Sequence, residues 1–390
     1  MIDYTKVLSE NVQKLEPSGI RRFFDILDEM DDAISLGVGE PDFVTPWHIR
    51  DAGIVSLERG FTRYTSNSGM LTLRKEIAAY QERRFGLDYD AAKEILVTVG
   101  GSEAIDLTIR ALVSPGDEVI IPVPSFVCYE PITKLCGGKP VLVETKVVDN
   151  FRLTAADLEK AITDRTKLLI LPFPNNPTGA VMERHDLEAV ADVLRGTDIM
   201  VLSDEIYAEL TYTGTHVSIA GLPGMRERSV VVGGFSKSHA MTGWRMGYAM
   251  APPPITAQLT KIHQYALMSA PTTSQYAAIE AMRNGDGDTA EMRTDYNRRR
   301  KLLLAGLRKL GLDCFEPGGA FYVFPSISAT GLTSDAFCER FLLEKKVAVI
   351  PGSAFGPGGE GFVRMCYASS TENLTEALSR LEDFLKSFDR

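Results

Sequence analysis

Two basic residues have a spacing that could do chemistry. Lys237 follows a β-branched run, residues 229–232, and the glycine pair Gly233-Gly234, and Arg245 comes eight positions later between Trp244 and Met246. The apolar run reads as a buried strand. A lysine just past such a strand can sit in the cleft above an open α/β sheet, where ligands bind. Desolvation and neighbouring cations lower a lysine's pKa and make it a usable amine nucleophile. A guanidinium offers a planar fork suited to phosphate. The pair therefore suits a Schiff-base lysine beside an anion clamp, the arrangement pyridoxal phosphate requires. By themselves the two residues would equally suit a solvated surface loop.

Other stretches add candidate groups. Asp204 closes the apolar run that begins at Ile199, and an acid at the end of a buried strand is costly without a cationic partner. Its carboxylate could hold a pyridinium nitrogen protonated, with Tyr207 on the same face of a helical turn, its hydroxyl within reach of the cofactor's phenolic oxygen. Glu205 is expected to point away. Gly100-Gly101-Ser102-Glu103 lies between a strand and a helix, so free N–H groups and the positive end of the helix dipole favour a phosphate at Gly101 and Ser102. Glu103 there supports the dipole. Arg364 sits mid-strand among apolar residues and needs an anion, which a substrate carboxylate or an internal ion pair would supply. Gly37-Val38-Gly39 lacks the third glycine of a dinucleotide fingerprint and reads as a tight turn where backbone approaches a ligand. Phe126 could stack on a flat heteroaromatic ring or simply fill the core.

Ser236-Lys237 with Ala240-Met241-Thr242-Gly243-Trp244-Arg245 resembles the lysine signature of the class I/II pyridoxal-phosphate aminotransferases of fold type I. Within that family it is similar to the branch holding prokaryotic aspartate, aromatic and N-acetyl-diaminopimelate aminotransferases. The resemblance runs from Ser18 to the C-terminal helix, through Tyr64-Thr65, Gly69, Leu73-Arg74, the tetrapeptide Asn176-Pro177-Thr178-Gly179 and Asp204-Glu205-Ile206-Tyr207. It implies a homodimer in which Tyr64 reaches the cofactor phosphate of the neighbouring subunit. It also implies that Gly39 offers its N–H to the substrate carboxylate, that Phe126 stacks on the pyridine, and that Asn176 donates to the phenolic oxygen and lies close to the substrate carboxylate. Arg364 would hold the substrate carboxylate, and Ile20 would touch the substrate side chain. Lys237, once displaced by an amino acid, would move the proton from Cα in a ping-pong transfer to a 2-oxo acid such as 2-oxoglutarate. Where the family often has a phosphate-binding serine, this chain has Gly234, and Ser236 is the candidate replacement. Ser102 stands where some aspartate enzymes carry a lysine, which favours aromatic or large, N-acetylated diamino donors. Aspartate transamination and a C–S lyase reaction on the same fold remain alternatives. A non-enzymatic regulator is disfavoured, because no basic DNA-binding module precedes Ser18.

These groups need a frame. Seven strand candidates, at 94–99, 118–123, 141–144, 167–171, 199–204, 229–232 and 248–250, alternate with mostly helical crossovers, so the sheet should be mostly parallel. The expected fold is α/β: a large cofactor-binding domain over 38–284, a smaller α+β domain over 285–390, and residues 1–37 as an N-terminal segment shared with the small domain. Residues 258–284 read as one helix, broken by Gly285-Asp286-Gly287-Asp288 before a basic helix over 290–310. The Arg298–Lys301 run reads as a solvated face. A chain of 390 residues is long enough for two cores. A net charge of −10 argues against nucleic-acid or anionic-membrane binding. Five scattered cysteines without a C-x-x-C pair, isolated histidines and the absence of a leader or long apolar run predict a cytoplasmic enzyme of amino-acid metabolism with reduced thiols and no metal.

Overall fold

The computed structural model describes residues 2–17, 19, 30 and 32–388. All seven expected strands form one sheet: β2 (Ile95–Thr98), β3 (Glu118–Val123), β4 (Lys139–Glu144), β5 (Thr166–Leu171), β6 (Met200–Asp204), β7 (Ser229–Gly234) and β8 (Gly247–Met250), in the order β2-β8-β7-β6-β5-β3-β4. β8 runs antiparallel to both its neighbours and the remaining pairings are parallel. Helices cover both faces of a mostly parallel sheet, so its strands are continuous apolar runs. β2 and β3 are buried along their whole lengths.

This order delivers the chemistry to one edge. β2, β3, β5, β6 and β7 all end there, leading to Gly101, Phe126, Asn176, Asp204 and Lys237 respectively. Because β8 runs the other way, its start, just after Arg245, meets the same edge. Ligands of open α/β sheets lie outside the carboxyl ends of the strands.

Two smaller sheets bring in the rest. β1 (Ile34–Ser35) pairs in parallel with β10 (Val347–Ala348), joining the N-terminal stretch to the C-terminal region. β9 (Tyr322–Val323), β11 (Ile350–Pro351) and β12 (Val363–Cys366) form an antiparallel sheet that carries Tyr322 and Arg364. The helix Thr371–Leu385 closes this part. Ser370 caps it, its hydroxyl accepting the Asn373 N–H at 3.1 Å. Leu374, Ala377, Leu381 and Phe384 fall on one face and are buried, with Phe384 edge-on to Phe337. Each large apolar side chain buried this way contributes about 1.5–3 kcal/mol.

Several local expectations are corrected. The helix expected over 258–284 is two, Pro253–Ala266 and Thr272–Asn284. Met268 is left-handed (φ 68°) and Pro271, which has no N–H to give a continuing helix, starts the second. The acidic stretch at 285–288 interrupts the chain only at Gly285. A helix resumes at once, Asp286–Lys309, with Asp286 and Asp288 in its first turn where acids favour the dipole. Tyr207 does not share a helical turn with Asp204. The strand ends at Asp204 and a 3-10 helix begins only at Ala208. The Arg298–Lys301 run is a solvated face only at Arg298 and Lys301: Arg300 is buried and donates to the Pro317 carbonyl at 2.7 Å, and Arg299 pairs with Asp42 and Asp295. Among the described residues no helix is long and apolar enough to cross a membrane.

Candidate active site

A cavity of about 430 Å³ opens at the carboxyl edge of the large sheet, and eleven of the residues singled out from the sequence line it. They are Gly39, Gly101, Ser102, Phe126, Asn176, Asp204, Tyr207, Ser236, Lys237, Arg245 and Arg364. Tyr64 is not among them and is 80% exposed. Ile20 lies outside the described residues.

The Lys237 amine donates to the Gly39 carbonyl at 2.6 Å. Burial pushes its pKa down to about 8; Cys366 and Glu40 oppose the shift, and the Arg364 and Arg245 cations add to it. A neutral amine is therefore accessible near neutral pH, the condition a nucleophilic lysine needs.

Asp204 is buried at the foot of the cavity. Its carboxylate accepts from the Tyr129 hydroxyl at 2.7 Å and the Ile206 N–H at 3.2 Å, both neutral donors. Burial raises its pKa above the usual carboxylate value despite those two bonds. Tyr129 was not singled out from the sequence. A buried phenol needs a partner, and its place after Phe126 in the loop leaving β3 is the signal that could have found it.

At the other end, the helix Gly100–Leu112 starts with Gly100 left-handed (φ 75°). A side chain at Gly100 would meet the Arg245 guanidinium, so that cation lies directly against the helix start. Arg245 is itself left-handed (φ 53°), and its guanidinium donates to the Thr242 carbonyl at 3.0 Å. Glu103 does more than serve the dipole: it accepts the Val99 N–H at 2.5 Å and holds the buried His263 Nδ1 at 2.6 Å. Gly234, where a serine was the family expectation, faces the Ile206 side-chain tip, which any Cβ there would displace. Ser236 lines the cavity instead.

The loop after β5 is braced by Asn175, whose Oδ1 accepts from the Thr178 N–H at 3.1 Å and hydroxyl at 2.9 Å. That leaves Asn176 to turn inward, where its Oδ1 accepts from Arg364 Nη1 at 2.8 Å. Arg364 also donates to the Gly37 carbonyl at 2.5 Å, and its buried Nε has no hydrogen-bond partner among the described residues. These partners are neutral, so the internal ion pair weighed from the sequence is not what holds it. Glu205 does point away from the cavity, into a cluster with Ser203, His216 and Ser218.

The model of the aminotransferase class I and II family matches residues 31–381. This chain belongs to that family. YugH of Bacillus subtilis (strain 168), whose name gives only an aminotransferase, is 52% identical over 381 residues, covering 98% of this chain and 99% of that one. The aspartate aminotransferase of Pyrococcus abyssi is 46% identical over 382 residues, with 97% and 98% covered. The crystal structure of an aromatic aminotransferase from Pyrococcus horikoshii OT3 superposes with a TM-score of 0.89 at 46% identity, covering 94% of this chain and 99% of that one. The chain is thus an enzyme that transfers amino groups, with fold type I architecture and pyridoxal 5′-phosphate as cofactor.

The geometry of this aminotransferase fits that cofactor. A buried carboxylate with only neutral donors, Asp204, suits a protonated ring nitrogen. A helix start with an arginine laid against it suits a phosphate. Lys237, with its lowered pKa, lines the same cavity.

Proposed function

We propose that this aminotransferase takes amino acids with an aromatic or large side chain, including N-acetylated diamino acids, as donors, and 2-oxoglutarate as an acceptor. One observation carries this reading. Among the described residues lining the cavity, the basic side chains are Lys237, Arg245 and Arg364. Arg245 serves the phosphate end, so Arg364 remains for the α-carboxylate that donor and acceptor share. The walls around it are Phe126, Val127, Tyr129, Pro172, Pro174 and Ile206, which suit an apolar side chain.

Bound pyridoxal phosphate supplies an electron sink for the charge left when Cα loses its proton. The chain supplies the rest. Gly101, Ser102, Ser236 and Arg245 would hold the phosphate, Phe126 would lie against the ring, and Asp204 would keep the ring nitrogen protonated. Asn176 and Tyr207 address the phenolic oxygen. Arg364, with the Gly39 N–H, fixes the substrate carboxylate so that Cα faces the Lys237 amine. That amine takes the proton from Cα and returns it on the far side of the reaction, as base and then acid.

The enzyme works as a homodimer with Tyr64 serving the neighbouring site. Support comes from the exposure of Tyr64 together with Trp47, Phe61, Leu71 and Tyr265, apolar groups a second copy would cover. The division into a large domain over 38–284 and a small one over 285–390 draws support from the separate sheets. Five free thiols favour a cytoplasmic setting.

The test is the visible spectrum of the holoenzyme, mixed with single amino acids and no acceptor. Fast conversion to the amine form by aromatic donors and slow conversion by aspartate is the expected result. Fast conversion by aspartate would sink the donor assignment, and release of ammonia with a keto acid would point to lyase chemistry. Lys237→Ala should lack both the band and the activity.

A further inference from the structure

Tyr322 has no role in the reading above, yet it touches three of its parts. It is 1% exposed and lines the cavity. Its hydroxyl lies 2.8 Å from the Tyr207 hydroxyl. Its ring face carries the Arg364 guanidinium at 4.5 Å. A side chain at Gly39 would run into the Tyr322 hydroxyl, so the same oxygen abuts the segment whose carbonyl receives the Lys237 amine. A second ring, Phe321, sits edge-on at 4.9 Å, and Cys366 pairs with Tyr322 across the sheet. The side chain therefore has little freedom to turn.

Of two hydroxyls that share one hydrogen bond, the more acidic is the better donor. Burial raises the pKa of both phenols, and the Arg364 guanidinium, seated on the Tyr322 ring itself, favours release of that hydroxyl's proton. With the cation on its ring, Tyr322 is the better placed of the two to donate. Tyr207 then accepts, and its own proton is free to point into the cavity, where a hydrogen-bond chain strengthens each donation.

We propose that Tyr322 is a positioning residue for the transfer reaction: its hydroxyl directs the Tyr207 proton into the cavity while its ring seats Arg364, so that one side chain sets both the lysine end and the carboxylate end of the site. This rests on the reading of Lys237 as the cofactor lysine and of Tyr207 as the group facing the phenolic oxygen. A proton donated there stabilises the anionic oxygen, which lowers the pH at which the lysine–cofactor linkage deprotonates.

The experiment titrates the visible band of the holoenzyme in wild type, Tyr322→Phe, Tyr207→Phe and the double variant, with melting temperatures to establish that each is folded. Tyr322→Phe keeps the ring and removes only the oxygen. Its band midpoint should rise by about 0.5 to 1 on the pH scale, the scale of one hydrogen bond. The double variant should match Tyr207→Phe alone, because Tyr322 acts through Tyr207. In kinetics, Tyr322→Phe should lower kcat and leave the donor KM unchanged, whereas Tyr322→Leu, which removes the seat of Arg364, should raise KM as well. A midpoint unchanged or lowered in Tyr322→Phe, or shifts that add in the double variant, overturns the proposal and leaves the Lys237 reading standing. A wild-type holoenzyme with no visible band overturns both.

Discussion

The guanidinium of Arg364 donates to the Asn176 side-chain carbonyl at 2.8 Å, joining the small antiparallel sheet to the loop after β5 across the cavity. The arginine is 3% exposed, and its Nε has no partner among the described residues. A buried cation satisfied on one edge and open on another is poised for an anion.

Replacing Arg364 by lysine keeps the charge and loses the fork. As the proposed carboxylate ligand, its removal should lower kcat/KM for amino acid donors on the order of 100-fold, mostly through KM, since breaking one partner of a buried charge pair costs about 2–5 kcal/mol. Steady-state kinetics with an aromatic donor reads this. A KM within about twofold of wild type would remove Arg364 from the carboxylate site.

The Lys237 amine, pushed down to about 8 by burial, predicts how apoenzyme captures its cofactor. Below that pH the amine is protonated and unreactive; above it the neutral form predominates. The rate of band formation on adding pyridoxal phosphate to apoenzyme should fall about tenfold per pH unit below 8 and level off above it. An amine with an ordinary lysine pKa would instead keep accelerating past pH 9, so stopped-flow rates across that range separate the two.

The frame and much of the site could be read in advance for a physical reason. Strands such as β3 and β5 are buried on both faces, so they appear as unbroken apolar runs whatever surrounds them. Asp204 ends such a strand, and Asn176 and Lys237 lie in the short loops that leave β5 and β7, so local sequence carries their position. Tyr322 and Tyr129 do not announce themselves in this way. Each matters through a contact far away in the chain, with Tyr207 and Asp204, and an aromatic residue beside a strand or helix otherwise looks like core. The same limit explains Arg299 and Arg300, whose partners Asp42 and Pro317 lie outside the basic run that hides them.

Gly39 has no room for a side chain, because a Cβ there would overlap the Tyr322 hydroxyl. Gly39→Ala must displace either the segment that carries the proposed carboxylate N–H or Tyr322. Overpacking of this kind costs about 1–3 kcal/mol, so kcat/KM should fall on the order of 10- to 100-fold. Removing the offending oxygen should relieve part of the loss: Gly39→Ala with Tyr322→Phe should be more active than Gly39→Ala alone. A double variant worse than both singles would show that the collision is not with that hydroxyl.

His48 gives a prediction about stability rather than catalysis. It bridges two carboxylates, Nδ1 to Glu280 at 2.7 Å and Nε2 to Asp288 at 2.9 Å, and so ties the helix Trp47–Glu58 to Thr272–Asn284 and Asp286–Lys309. Burial favours the neutral ring, but the hydrogen bonds and charges of Asp288 and Glu280 outweigh it, and the pKa is raised above its ordinary value of 6.5. A raised pKa means that the folded state holds the proton more tightly than the unfolded chain. The bridge therefore contributes fully below pH 6.5 and is lost as the pH rises through the folded-state value. His48→Gln should lower the Tm more at pH 6 than at pH 9, with the effect kept modest by the ring's 36% exposure. Thermal melts of the two proteins at both pH values decide it, and an equal loss at each would mean that the bridge carries no charge.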